Sequence, residues 1–196
     1  MRGISKRVAA LAVAGATAAG LVVAGAGAAS ADVSGGTVTL TLNESFIAQL
    51  AKDGVVVVPQ NAASVTVDSA AGTVSIAFTA TGGLGDLTYG GGTVNLSGSL
   101  LAFSLRGRCV TLSSLEFDLG NASFDGATSS GADTPLLDVA GTEVAGIVLP
   151  NETLTASQLT IDAAGAALLD GALHTSAFTA GANVGSFSAA WTVTPA

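Results

Sequence analysis

Glu116 and Asp118 stand two residues apart in Leu115-Glu116-Phe117-Asp118-Leu119, so on a strand both acids share one face and the three apolar residues take the other. Paired carboxylates can cleave a glycosidic bond as acid and base. Sites of that kind also surround the sugar with aromatic and polar groups, and this chain has one Trp and one Tyr. The pair therefore reads as the wet face of a strand. One histidine, His174, and one cysteine, Cys109, cannot build a His/Cys metal centre. Neither H-E-x-x-H nor G-x-S-x-G occurs, and a triad would need His174 to serve an unidentifiable serine. Arg106 and Arg108 could lower the Cys109 thiol pKa only from its own side, and on a strand they take the opposite face. Cys109 is expected to be a small buried residue in Cys109-Val110-Thr111-Leu112. Gly82-Gly83-Leu84-Gly85 lacks the spacing of a phosphate loop, and Asp86 would repel phosphate. The segment Asp125 to Asp133 has carboxylates suited to calcium but matches no defined loop, so a solvated turn is expected. No catalytic residue and no metal ligand is assigned, and the chain reads as a non-enzyme.

The elements that would position these residues are mostly strands. Thr37 to Leu42, Ser64 to Asp68, Thr73 to Phe78 and Thr93 to Ser97 alternate polar and apolar residues, with Gly, Asn or Asp at the joints. Further strands are expected at Leu101–Leu105, Leu112–Leu119, Ala122–Phe124, Val144–Leu149, Thr153–Ile161, Thr175–Phe178 and Phe187–Val193. About ten strands with short turns predict an all-β fold, a sandwich or barrel. Two places break the alternation. Asn43 can cap a helix through Lys52 that stops at Gly54, and Asp162 can cap one from Ala163 to Asp170 that closes at Gly171. The two strand-cap-helix units, within 36–58 and 155–178, form a weak two-fold echo, each helix plugging an end of the β structure. Thr79 to Gly92, Gly-rich and holding the only tyrosine, reads as a mobile loop or wide turn.

The first 31 residues fix the compartment. Arg2, Lys6 and Arg7 precede an apolar run from Val8 to Gly27, and Ala29-Ser30-Ala31 is a small-residue cleavage site. Residues 1–31 are expected to be a signal peptide cut between Ala31 and Asp32, and 32–196 a single secreted or wall-associated domain. Lys52, Arg106 and Arg108 then face 14 carboxylates, a net charge of −11. Such a surface repels nucleic acid and anionic lipid. No later apolar run approaches the roughly 18 residues that a membrane span needs. With one cysteine there is no intramolecular disulfide, so stability must come from packing.

Thr39-Leu40-Thr41-Leu42-Asn43, the helix ending at Gly54 and Val55-Val56-Val57-Val58-Pro59 resemble the opening of a group of actinobacterial secreted proteins allied to the HtaA-type domain. Thr153 to Asp162 with its Ala-rich helix is similar to that group's closing half. The resemblance implies a secreted or envelope-associated β domain. HtaA-type domains bind haem through a tyrosine in an early Ser-Phe-x-x-Tyr segment, supported by a distant histidine. Here Ser45-Phe46-Ile47-Ala48-Gln49 puts Gln49 at the tyrosine's place, and a neutral amide supplies no phenolate. The remaining haem candidates, Tyr89 and His174, lie at unmatched positions. They read as a loop tyrosine and a surface histidine, and Trp191 as a core or sheet-surface residue and not a ligand platform. The expected function is a non-catalytic structural or binding domain without cofactor, its partner an extracellular macromolecule or small ligand. The alternatives are a haem or small-ligand carrier and, third, a carboxylate hydrolase.

Overall fold

Residues 31–61, 63–129, 131 and 133–194 are described by the computed structural model. The basic and apolar stretches of the leader lie outside the described residues; Asp32, the expected first mature residue, opens the first strand. Eleven strands and two helices follow in the order β1 (Asp32–Leu42), α1 (Glu44–Lys52), β2 (Val55–Gln60), β3 (Ala63–Asp68), β4 (Thr73–Gly83), β5 (Thr93–Leu96), β6 (Ser99–Ser104), β7 (Cys109–Asp118), β8 (Ser123–Ala127), β9 (Asp133–Val148), β10 (Asn151–Ile161), α2 (Ala163–Leu173) and β11 (Asn183–Thr194). The all-β expectation holds, in its barrel form. Eight strands close in the order β7-β5-β4-β1-β11-β10-β9-β8, and β8 pairs back onto β7.

Three strands lie outside the ring, and they fork its wall at one end. β4 gives Thr73–Phe78 to β3 and Ala80–Gly83 to β5, with the register shifting between Ala80 and Gly82. β7 likewise gives Cys109–Leu112 to β6, which carries β2, and Thr93–Asn95 of β5 take Asp118–Glu116. A bulge allows β7 to serve both groups. Buried positions run Leu112, then Leu115 and Phe117, a change of phase absorbed where the β7–β8 register shifts and Ser114 adopts φ +50°.

The barrel is filled by the inward residues of its strands. Phe78, Phe117, Phe124 and Trp191 are fully or almost fully buried. Phe117 lies with ring centroids 4.7 Å from Phe187 and 6.4 Å from Trp191, and Phe78 lies 5.7 Å from Phe124, separations at which tilted aromatic rings attract.

Both helices cover the same end of the barrel. β1 and β10 flank β11 and are each antiparallel to it, so they run in the same direction and deliver α1 and α2 to one rim. α2 also passes Gly171 and ends at Leu173, because wholly buried Leu173 anchors one more turn before His174 turns left-handed at φ +53°. Thr175–Phe178 is not a strand; it is the return segment from α2 to β11, with Ala177 and Phe178 buried beneath it. Thr79–Gly83 extends β4, leaving a shorter turn from 84 to 92. Asp125 sits in β8, all five of whose residues are buried, and is not part of a solvated turn.

Candidate functional site

The rim under the helices holds the pocket. Asn43 fixes α1 there: its backbone N–H donates to Val184 O at 2.9 Å and its side-chain Oδ1 accepts from Phe46 N at 2.8 Å. That turns Phe46 and Leu50 toward the barrel while Gln49 stays on the exposed face. Asp162 does the same for α2, accepting from Ala164 N at 2.6 Å while its own N–H donates to Leu136 O at 3.1 Å. Gly165 is the point of closest approach. A Cβ there would lie 2.7 Å from both Leu136 Cα and Leu136 O, so α2 rests on the backbone of β9. Asp170 then ties down the return segment by accepting from Phe178 N at 3.2 Å.

Between the helices and the barrel end lies a partly open cavity of about 80 Å³. Its walls include Phe46 and Leu50 of α1, Val57 of β2, Ala102 of β6, Leu169 of α2 and Phe178 of the return segment. Every lining residue is Leu, Phe, Val, Ile or Ala. No acid, base or nucleophile faces the space, and no group that ligates iron. What such walls can do is hold apolar matter, since cavities of this composition stay dry and take up small hydrocarbons or xenon.

The residues singled out in the sequence are scattered around this pocket. Gln49 donates through Nε2 to Asp53 Oδ2 at 2.5 Å, an exposed pairing along α1. His174 is exposed at the C-terminal end of α2, and its carbonyl accepts from Arg106 Nη1 at 3.0 Å. Tyr89, 64% exposed, is in the turn at the far end of the barrel, eleven residues of β4 away from the helix rim. The structure thus does not bring Tyr89 and His174 together, and the donor set does not fit haem. Cys109 is exposed, not buried; it begins β7 at the β6–β7 turn, where its neighbours are solvated.

The carboxylates of β7 are half-buried on the polar face, as expected for Glu116 and Asp118. Glu116 pairs across the ladder with Asp125. Burial, then the charges of Asp133, Asp125 and Asp118, push the Glu116 carboxyl above its ordinary value. Burial also raises Asp125 and, with help from Asp162 and Asp125, Asp138. None of these carboxylates lines the apolar cavity, and among the described residues no group of three or more acids, histidines or cysteines is arranged to hold a metal.

Sequence reading missed Glu152, the one fully buried carboxylate among the described residues. It faces Trp191 across the β10–β11 ladder and accepts from Leu87 N at 2.9 Å, pinning the 84–92 turn to the closed end of the barrel. Its Oε1 and the Trp191 Nε1 make no hydrogen bond of ordinary geometry, although the indole N–H lies close enough to the carboxyl to favour its ionised form. Desolvation raises the Glu152 pKa, the Leu87 N–H opposes that, and the nearby charge of Asp86 adds to the rise. A signal was available: Glu152 is in phase with Leu154 and Ala156, the inward residues of its strand.

No protein family and no curated protein matches the sequence. No helix among the described residues is long and apolar enough to cross a membrane. Among solved structures, the chain is similar to the crystal structure of the C-terminal domain of HtaA from Corynebacterium glutamicum, with 15% sequence identity, 84% of this chain and 100% of that one covered, and a TM-score of 0.59. At that identity the likeness to the HtaA-type domain is one of fold alone.

Proposed function

We propose that the chain is a secreted, non-catalytic binding domain that holds a small apolar ligand in the pocket between α1, α2 and the barrel end. The observation that carries this reading is the all-hydrocarbon lining of a partly open cavity, in a molecule whose titratable groups lie elsewhere. The HtaA-type fold supports a binding role rather than a chemical one. Haem is not the ligand in this reading, because Gln49 points to solvent and the pocket offers iron no donor. The signal peptide expected at residues 1–31 supports work outside the cell. A hydrolase reading gains nothing from the acidic face, whose carboxylates do not line the pocket.

A small hydrocarbon tests the proposal, since the cavity is about half the size of one that takes benzene. Dissolved cyclopropane should shift the methyl NMR signals of the pocket saturably. Val57→Trp, which fills the cavity from a half-exposed wall position, should abolish that response without changing the far-UV circular dichroism. Val148→Asp, at an exposed position on the opposite end, should leave it intact. Binding that survives Val57→Trp and disappears in Val148→Asp would contradict the assignment.

A further inference from the structure

The end of the barrel away from the helices is closed by the 84–92 turn, and two acids lie beneath it. Glu152 is fully buried and Asp86 is 8% exposed. One peptide joins them: the N–H of Leu87, the residue after Asp86, donates to Glu152 Oε2 at 2.9 Å. The strands that meet at Glu152 bring no compensating charge. β9 sets Ile147 opposite it, β11 sets Trp191, and β1 sets Gly36 against Trp191. Asp32, at the start of β1, and Tyr89, in the turn, are both exposed. Among the described residues the Lys and Arg side chains, Lys52, Arg106 and Arg108, belong to the helix rim.

Two carboxylates that share a dry site are costly to ionise together, whereas one proton between them makes the neutral acid a hydrogen-bond donor to its partner. Burial, the Asp86 charge and a hydrogen bond to Asp86 all favour a protonated Glu152, against the Leu87 N–H and the Trp191 indole. The strand cannot yield to relieve a second charge, because β10 is held by ladders to β9 and β11 on both sides. The turn can. Asp86 N donates to Gly91 O at 3.2 Å, Gly90 N to Asp86 O at 3.0 Å and Thr88 N to Asp86 Oδ1 at 2.7 Å, so these bonds travel with the turn. Leu87 ties it to the barrel through its N–H and a side chain that is buried. Gly83 precedes the turn and Gly92 ends it, at φ +117° and +95°, and Gly92 O accepts from Leu119 N at 2.9 Å, which fixes the return stem as a pivot.

We propose that Glu152 and Asp86 share one proton that latches the 84–92 turn over the closed end of the barrel. Loss of that proton to water leaves two carboxylates side by side; the turn then swings outward with Asp86 and Leu87, and Trp191 meets solvent. The device is at the opposite end from the apolar pocket and does not depend on it.

Trp191 is the only tryptophan, so its fluorescence reports this site alone. Titration from about pH 4 to about pH 9 should shift its emission to the red in one step whose midpoint lies above the ordinary carboxylate range. Over the same step the protection of the Leu87 amide against hydrogen exchange should fall about tenfold, with the far-UV circular dichroism and the amides of β10 unchanged. Glu152→Gln keeps an acceptor for Leu87 N and does not ionise, so both signals should stay flat. Asp86→Asn removes the opposing charge and should move the step down toward the ordinary carboxylate range. Constant emission through the titration, a step that persists in Glu152→Gln, or a step that leaves Leu87 protection unchanged would overturn the latch. Loss of the far-UV signal in the same step would overturn it too, since the event would then be general unfolding.

Discussion

Single residues in this molecule are set by phase more than by type. Glu152 is charged, yet its place in the alternation of β10 drives it to full burial beside Trp191, where its only strong partner is the Leu87 N–H. An ionised carboxylate is costly there, because burial and the neighbouring Asp86 both disfavour its charge. Glu152→Gln retains the shape and an acceptor for Leu87 N and removes the charge that Asp86 opposes. The variant should be more stable by about 1 kcal/mol near pH 8 in urea denaturation. A loss of stability would mean that the charge itself holds the 84–92 turn. The same logic explains what escaped sequence reading at this scale. Cys109 was legible as a strand residue, but its exposure depends on where the β6–β7 turn falls at the sheet margin, and a single strand carries no information about that.

At the scale of elements, local signals were strong where the cause is local. Asn43 and Asp162 announce α1 and α2, and both act as side-chain caps. The end of α2 was not legible, because Gly171 is a stop signal only when the following residues are free, and Leu173 is held in the core. The two glycines of α2 therefore do different work. Gly165 abuts the backbone of β9, and Gly171 has no atom within 4 Å of where its Cβ would be. Gly165→Ala should destabilise the protein by roughly 1–3 kcal/mol through forced separation of α2 from β9. Gly171→Ala should stabilise it by roughly 0.5–1 kcal/mol through helix propensity. Thermal melts of the pair check this, and equal effects would contradict the packing described.

For the whole molecule, the count and class of strands follow from alternation, whereas barrel closure follows from pairings between segments distant in sequence, such as β1 with β11 and β7 with β5. The delivery of both helices to one rim, and hence the pocket, depends on β1 and β10 flanking β11. No local pattern encodes that. Charge acts at this scale as well. Glu116, Asp125, Asp138 and Glu152 all have raised pKa values in the folded state, chiefly through burial. The folded chain therefore binds more protons than the unfolded chain between the ordinary carboxylate values and the raised ones, and stability falls as pH rises through that window. The melting temperature should be higher at about pH 5 than at about pH 8, with a smaller difference in Glu152→Gln. The opposite order would show that favourable ion pairs dominate.

The central claim is that the helix-covered end of the barrel contains an apolar, ligand-accessible space. Methyl NMR under xenon pressure measures this most directly, because xenon enters apolar cavities without needing charge or hydrogen bonds. Saturable shifts should appear at Leu50, Val57, Leu100 and Leu169, which line the pocket, and be absent at Val33 and Val193 at the far end of the barrel. Shifts at Val33 and Val193, or none at the pocket methyls, would contradict the account.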